Sequence, residues 1–154
     1  MSAYLLALLI GIIAGLRAMT APAAVAWATY LGRLDLSGTW LALFGNVWVR
    51  WILTALALVE LVTDQLPSTP SRTVPVQFGA RIVTGALSGA AVGAAGGSWV
   101  GGLLAGAVGA VVGTLGGRAV RARLAAAFGS DRPAAFIEDA VAIGGALLIG
   151  VALR

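Results

Sequence analysis

Val59-Glu60-Leu61-Val62-Thr63-Asp64-Gln65-Leu66-Pro67-Ser68-Thr69-Pro70-Ser71-Arg72 sets two carboxylates one helical turn apart at the end of a long apolar run. A proline-punctuated polar loop ending in Arg72 follows, and apolar sequence resumes on its far side. Here the chain is expected to leave a membrane, turn and re-enter, carrying acids with it. Glu60 and Asp64, at i and i+4, share one helix face. They offer a cation site, although two carboxylates are few for calcium or magnesium. The favoured alternative is a loop clamp between Asp64 and Arg72.

Composition fixes the solvent. The chain has 154 residues, 60% hydrophobic and 10% charged, with a mean hydropathy of +0.98. Soluble domains carry about a quarter charged residues, so lipid must cover much of this surface. The length allows about five or six short spans and no separate soluble domain. The expected fold is therefore an all-α integral membrane protein of five to six hydrophobic helices, some broken or re-entrant.

Cysteine and histidine are absent. That removes disulfides, thiolate chemistry, the usual zinc and iron sites and the side chain best suited to proton transfer near neutrality. No metal and no cofactor is expected. Acid–base work falls to six carboxylates, Asp35, Glu60, Asp64, Asp131, Glu138 and Asp139. All ten basic residues are arginine, and the net charge of +4 reads as topology and contact with anionic lipid headgroups. No basic face with interleaved aromatics suggests nucleic acid. Without lysine there is no nucleotide-binding G-x-x-x-x-G-K-[ST] loop and no Ser–Lys dyad. The expectation is a non-enzyme.

Outward from the central stretch, residues 47–66 form a good span. Trp48, Arg50 and Trp51 at its start read as an interfacial belt with a snorkelling arginine. A helix starting instead at Trp40 would put Arg50 nearer the midplane. Residues 4–15 are apolar but too short to cross alone, and read as a retained helix rather than a cleaved signal. Gly15-Leu16-Arg17-Ala18-Met19-Thr20-Ala21-Pro22 interrupts them before apolar character resumes over 21–31. Either the helix breaks there, with Thr20 or Ala21 as a cap and Pro22 in the new first turn, or one long helix kinks at Pro22. The short 37–46 segment suits a re-entrant or half-helix. Downstream lie spans 78–97 and 99–115, a basic loop 116–132 and a last span 133–153. Arginine bias puts that loop, and with it the 64–77 loop, in the cytoplasm. The small-residue spacings over 85–113 offer a packing face, from which a homodimer is expected.

Three patterns recur in order: Gly15-x-Arg17-x-x-Thr20 with Gly79-x-Arg81-x-x-Thr84, Gly38-Thr39-Trp40 with Gly97-Ser98-Trp99, and Ala57-Leu58-Val59-Glu60 with Ala135-Phe136-Ile137-Glu138. The echo suggests a pseudo-symmetric pair of repeats, 15–66 and 79–153, inverted or parallel. It also pairs ionisable groups within spans, each costing about 2.5–3.5 kcal/mol to insert. Convergence of Arg17, Arg81, Glu60 and Glu138 between repeats would let the glutamates carry protons or a cation. The arginines, beside Thr20 and Thr84, would then hold an anionic group, with the helix opening at Thr20 adding its positive end. Asp64 and Asp139 complete the candidate site. Glu138 and Asp139 are adjacent, so at most one should face a given partner. The plain alternative is that these are structural ion pairs or groups snorkelling to water.

With Gly15-Leu16-Arg17 and the Glu60-to-Arg72 motif in view, the chain resembles a family of small bacterial integral membrane proteins known only as a domain of unknown function. The Gly-rich helices ending in a basic loop match as well. The resemblance implies a bacterial inner-membrane, multi-pass protein and brings no substrate. The expected function is a small-solute or ion transporter, in which proton coupling would be carried by the intramembrane glutamates. The alternatives are a non-transporting scaffold or partner subunit, or a lipid-headgroup-binding translocator.

Overall fold

The computed structural model describes residues 2–153, and among them every regular element is helical. Six α-helices follow one another: α1 (Ala3–Leu16), α2 (Thr20–Tyr30), α3 (Val47–Thr63), α4 (Pro75–Ala95), α5 (Trp99–Phe128) and α6 (Asp131–Ala152), with a 3-10 helix at Trp40–Gly45 before α3. By length and composition α4, α5 and α6 can each cross a membrane. The others are shorter, at 14, 11 and 17 residues for α1, α2 and α3.

Glycine sets the core. A methyl group on Gly11 would overlap the Gly106 carbonyl, and one on Gly109 or Gly113 would strike Leu8 or Ile12 of α1. Gly85, Gly89 and Gly93 meet Gly102 and Gly106 in the same way across α4 and α5. These residues let three backbones approach to contact, and in lipid such packing replaces the missing hydrophobic drive. The rising order of the α1–α5 contacts makes those helices parallel, and the falling order of the α4–α5 contacts makes that pair antiparallel. The glycine face expected to form a dimer is therefore consumed inside the chain.

The first interruption is a hairpin. Met19 meets Glu60 at the end of α3, Trp27 meets Thr54, and Tyr30 stacks on Arg50 near its start. So α2 runs antiparallel to α3. Asp64, beyond the end of α3, pairs with Arg17 at the end of α1. Hence α1 rises to Arg17, the chain turns over Arg17-Ala18-Met19, and α2 descends to the side from which α1 began. The tip lies about 20 Å from the start of α1 at 1.5 Å per residue, short of the roughly 30 Å hydrocarbon thickness. It is neither a kink nor a continued crossing.

Two further expectations are corrected. Residues 116–128 are not a loop: α5 runs on through Gly116-Gly117 to Phe128, and the turn is only Gly129-Ser130, with Gly129 at φ 68°. Gly117 is needed for clearance, because a methyl there would strike Leu16 and crowd Glu138. Arg50 does not snorkel. α3 begins at Val47 with the Asn46 side chain capping Trp48 and Val49, and this turns Arg50 inward beneath Tyr30 and Trp27.

Candidate functional site

A turn buried among other helices leaves backbone groups without partners. The last carbonyls of α1 and the first N–H groups of α2 must be satisfied where water is scarce. Two side chains from other helices do this. The Glu60 carboxylate accepts from the N–H groups of Ala18 at 2.7 Å and Met19 at 2.8 Å. The Arg81 Nη1 donates to the carbonyls of Gly15 at 3.0 Å and Leu16 at 2.8 Å. The Thr114 hydroxyl adds a 3.3 Å bond to Gly15. Each charge also matches its helix end, negative at the start of α2 and positive at the end of α1.

Arg17 sits at the tip and is completely buried. It pairs with Asp64 of the α3 terminus and with Asp139 of α6, its Nε lying 2.6 Å from Asp139 Oδ1. The Gln65 side-chain amide donates to the other Asp139 oxygen at 2.8 Å. Arg81 Nη2 stands 3.7 Å from Glu60 and 3.6 Å from Asp64, linking the two acids. Above this layer Glu138 takes a two-pronged contact from Arg72 and a 3.2 Å bond from Arg121, which itself clamps Asp131 at 2.6 and 2.9 Å. Four guanidiniums (17, 72, 81, 121) thus face five carboxylates (60, 64, 131, 138, 139).

A cleft of about 540 Å³ opens above the network, between the 64–72 loop and the projecting ends of α4, α5 and α6. Arg72, Arg81, Arg118, Arg121 and Arg132 line it against only Asp64 and Asp131. Glu138 and Glu60 already pair with Arg72, Arg121 and Arg81, so among the described residues Arg118 and Arg132 are the lining cations without a carboxylate partner, and their field favours anions. Asp64 and Arg81 belong both to the cleft and to the tip layer, so they join open space to buried charge.

The family model described as a domain of unknown function (DUF4126) matches residues 4–152. The chain belongs to the DUF4126 family. The resemblance read from Gly15-Leu16-Arg17 and the central motif holds at the level of the family. No curated protein and no solved structure matches the chain.

In this DUF4126 chain the structure brings together Arg17, Glu60, Asp64, Arg81, Glu138 and Asp139. Thr20 is buried at the start of α2, beside the tip. Thr84 is not in the site: its hydroxyl donates to Ala80 and Arg81 of its own helix. The Asp64–Arg72 clamp does not form, because Asp64 turns inward to Arg17 while Arg72 crosses to Glu138. Asp139 takes Arg17, and Glu138 turns to Arg72 and Arg121 but still comes within 4.0 Å of Arg17. The two neighbours thus share that partner unequally. The positive end of α2 faces Glu60 rather than open space. Arg121, Asp131 and Gln65 join the network although the sequence reading places none of them in the candidate site. Arg121 lies ten residues before Asp131 across a glycine turn, a spacing that could have marked the pair.

Echoed residues also meet. The Trp40 and Trp99 rings stand 5.6 Å apart, edge to face. Arg17 precedes descending α2 and Arg81 lies early in descending α4, whereas Glu60 ends an ascending helix and Glu138 begins a descending one.

Proposed function

We propose that this protein carries a small anionic solute across the bacterial inner membrane, with the α1–α2 hairpin tip as its gate. The observation that supports this most is the hairpin itself. A chain turn is held inside the membrane by Glu60 and Arg81, directly beneath a cleft lined by Arg118 and Arg132. Interrupted helices whose ends are held by charged side chains, meeting an aqueous cleft, suit binding and release of ions. An anion entering the cleft competes with carboxylates for Arg81 and then Arg17. A carboxylate so displaced takes up a proton, which couples the anion to H⁺. Seven arginines (17, 72, 81, 118, 121, 123, 132) belong to the cleft end or to the helix that forms it, and this bias favours that end as cytoplasmic. In both antiparallel pairs, α2–α3 and α4–α5, the first helix descends and the second ascends, which favours a repeated two-helix unit with α6 outside it.

The test is charge movement by purified protein in proteoliposomes on a solid-supported membrane, with pH steps and a panel of small anions and cations. A current that needs one class of anion supports the reading. Silence across anions from a folded protein, or currents carried only by cations, would contradict it. Silence would favour a scaffold instead, a reading to which the mutual pairing of Arg17, Asp64 and Asp139 lends weight.

A further inference from the structure

A second arginine is buried at the opposite end of the α2–α3 hairpin. Arg50 is 7% exposed, and its guanidinium carbon stands 3.8 Å from the Tyr30 ring centroid and 5.1 Å from that of Trp27. Among the described residues no carboxylate pairs with it, and its Nε has no hydrogen-bond partner. Stacking on aromatic faces stabilises such a cation but leaves its donors unused. A desolvated charge without a counter-ion is costly, so a ligand that supplies one is strongly favoured.

The surroundings say what kind. Arg50 lies ten residues before Glu60 on α3, about 15 Å below the ion-pair layer. Tyr4, Tyr30, Trp40, Trp48, Trp51 and Trp99 gather at the same end and are all substantially exposed. Such an aromatic girdle marks headgroup level. From it a groove of about 390 Å³ rises between α2, α3 and α6, lined by Trp27, Leu31, Leu58, Ile143 and Leu147, with Arg33 at the same end. Along α2 the lining runs from Thr20 to Leu31, about 17 Å at 1.5 Å per residue. That is close to one leaflet's share, about 15 Å, of the hydrocarbon thickness. Trp27 belongs to both features, with its ring in the groove wall and beside Arg50. Asp35, in the loop at this end, is held by Ser37 rather than by either arginine.

We propose that this groove holds an acyl chain of an anionic phospholipid whose phosphate is drawn to Arg50, with Arg33 as the second cation. A zwitterionic lipid brings its own ammonium and would leave the two arginines in excess. A soluble anion would gain nothing from the apolar groove. The bound lipid fills the space between α2, α3 and α6.

The experiment is native mass spectrometry and thermal unfolding of the full chain in neutral detergent. Phosphatidylglycerol, phosphatidylcholine of the same chains, and glycerol phosphate are the probes. Wild type is expected to retain phosphatidylglycerol and to gain thermal stability from it, but not from the other two. Arg50→Gln is expected to weaken retention by roughly tenfold or more, the loss of a charged hydrogen bond. Ala57→Trp, which fills the groove, should weaken it similarly, and Arg123→Gln at the far end should not. Equal retention of both lipids, displacement of lipid by glycerol phosphate, or wild-type retention in Ala57→Trp would overturn the proposal. The wild-type and Ala57→Trp comparisons decide it even where Arg50→Gln does not fold.

Discussion

Arg17→Gln is expected to prevent the protein from accumulating in the membrane, or to lower its unfolding temperature severely. Arg17 is completely buried and holds Asp64 and Asp139 from two different helices. Removing one partner from a buried ion pair costs about 3–5 kcal/mol, because the remaining charge has no solvent. Here two acids lose their main partner together. Asp64 keeps only Arg81 at 3.6 Å, and Asp139 keeps the Gln65 amide. The triple variant that adds Asp64→Asn and Asp139→Asn should recover much of the folded yield, since the orphaned charges are gone. Arg17→Lys should recover less, because one ammonium cannot match a planar fork reaching both acids. Yield and thermal unfolding of the four proteins in detergent measure this. A stable Arg17→Gln protein would mean that water reaches and screens the pair.

The second large effect is on function. Glu60→Gln is expected to fold and to lose coupled transport. Glutamine keeps the shape, and its carbonyl oxygen can accept from one of the two tip N–H groups. Its amide then presents a donor to the other, a mismatch of about 1–3 kcal/mol, which a folded protein can survive. What the variant cannot do is exchange a proton or yield a negative charge to an incoming anion. In the proteoliposome assay its pH-dependent current should vanish while its circular dichroism stays helical. An unchanged current would remove Glu60 from the mechanism and leave it as a helix cap.

Much of this geometry was legible in the chain, and the failures have physical causes. Apolar content and the position of the 64–77 loop identify the medium and the hydrophobic segments directly. The paired G-x-R-x-x-T signals flag Arg17 and Arg81, because a charge among apolar residues needs a reason. The direction of α2 was not legible. A break at Gly15–Pro22 says that the helix stops, and nothing local says whether the chain continues onward or doubles back. Proximity in sequence pairs Arg72 with Asp64, its nearest acid. In the fold Asp64 caps the end of α3 and faces inward, while the loop crosses to α6. Gly116-Gly117 read as a break, yet the helix runs through it, since the missing side chain makes room for Leu16 and the Arg72–Glu138 pair. Arg50 beside two tryptophans reads as a surface belt. Its burial depends on Tyr30 and Trp27 arriving from another helix, and no local pattern announces that.

The proposed gate can be tested directly because the chain has no cysteine. Thr20 is buried beside the hairpin tip and borders the groove beneath it. A single Thr20→Cys substitution, exposed in oriented vesicles to a membrane-impermeant maleimide from the cleft side, reports whether water reaches past the Arg17 layer. Slow labelling that speeds up when the transported anion is supplied is the predicted result. A thiol that stays unreactive from both sides, with and without anion, would show a static lock rather than a gate.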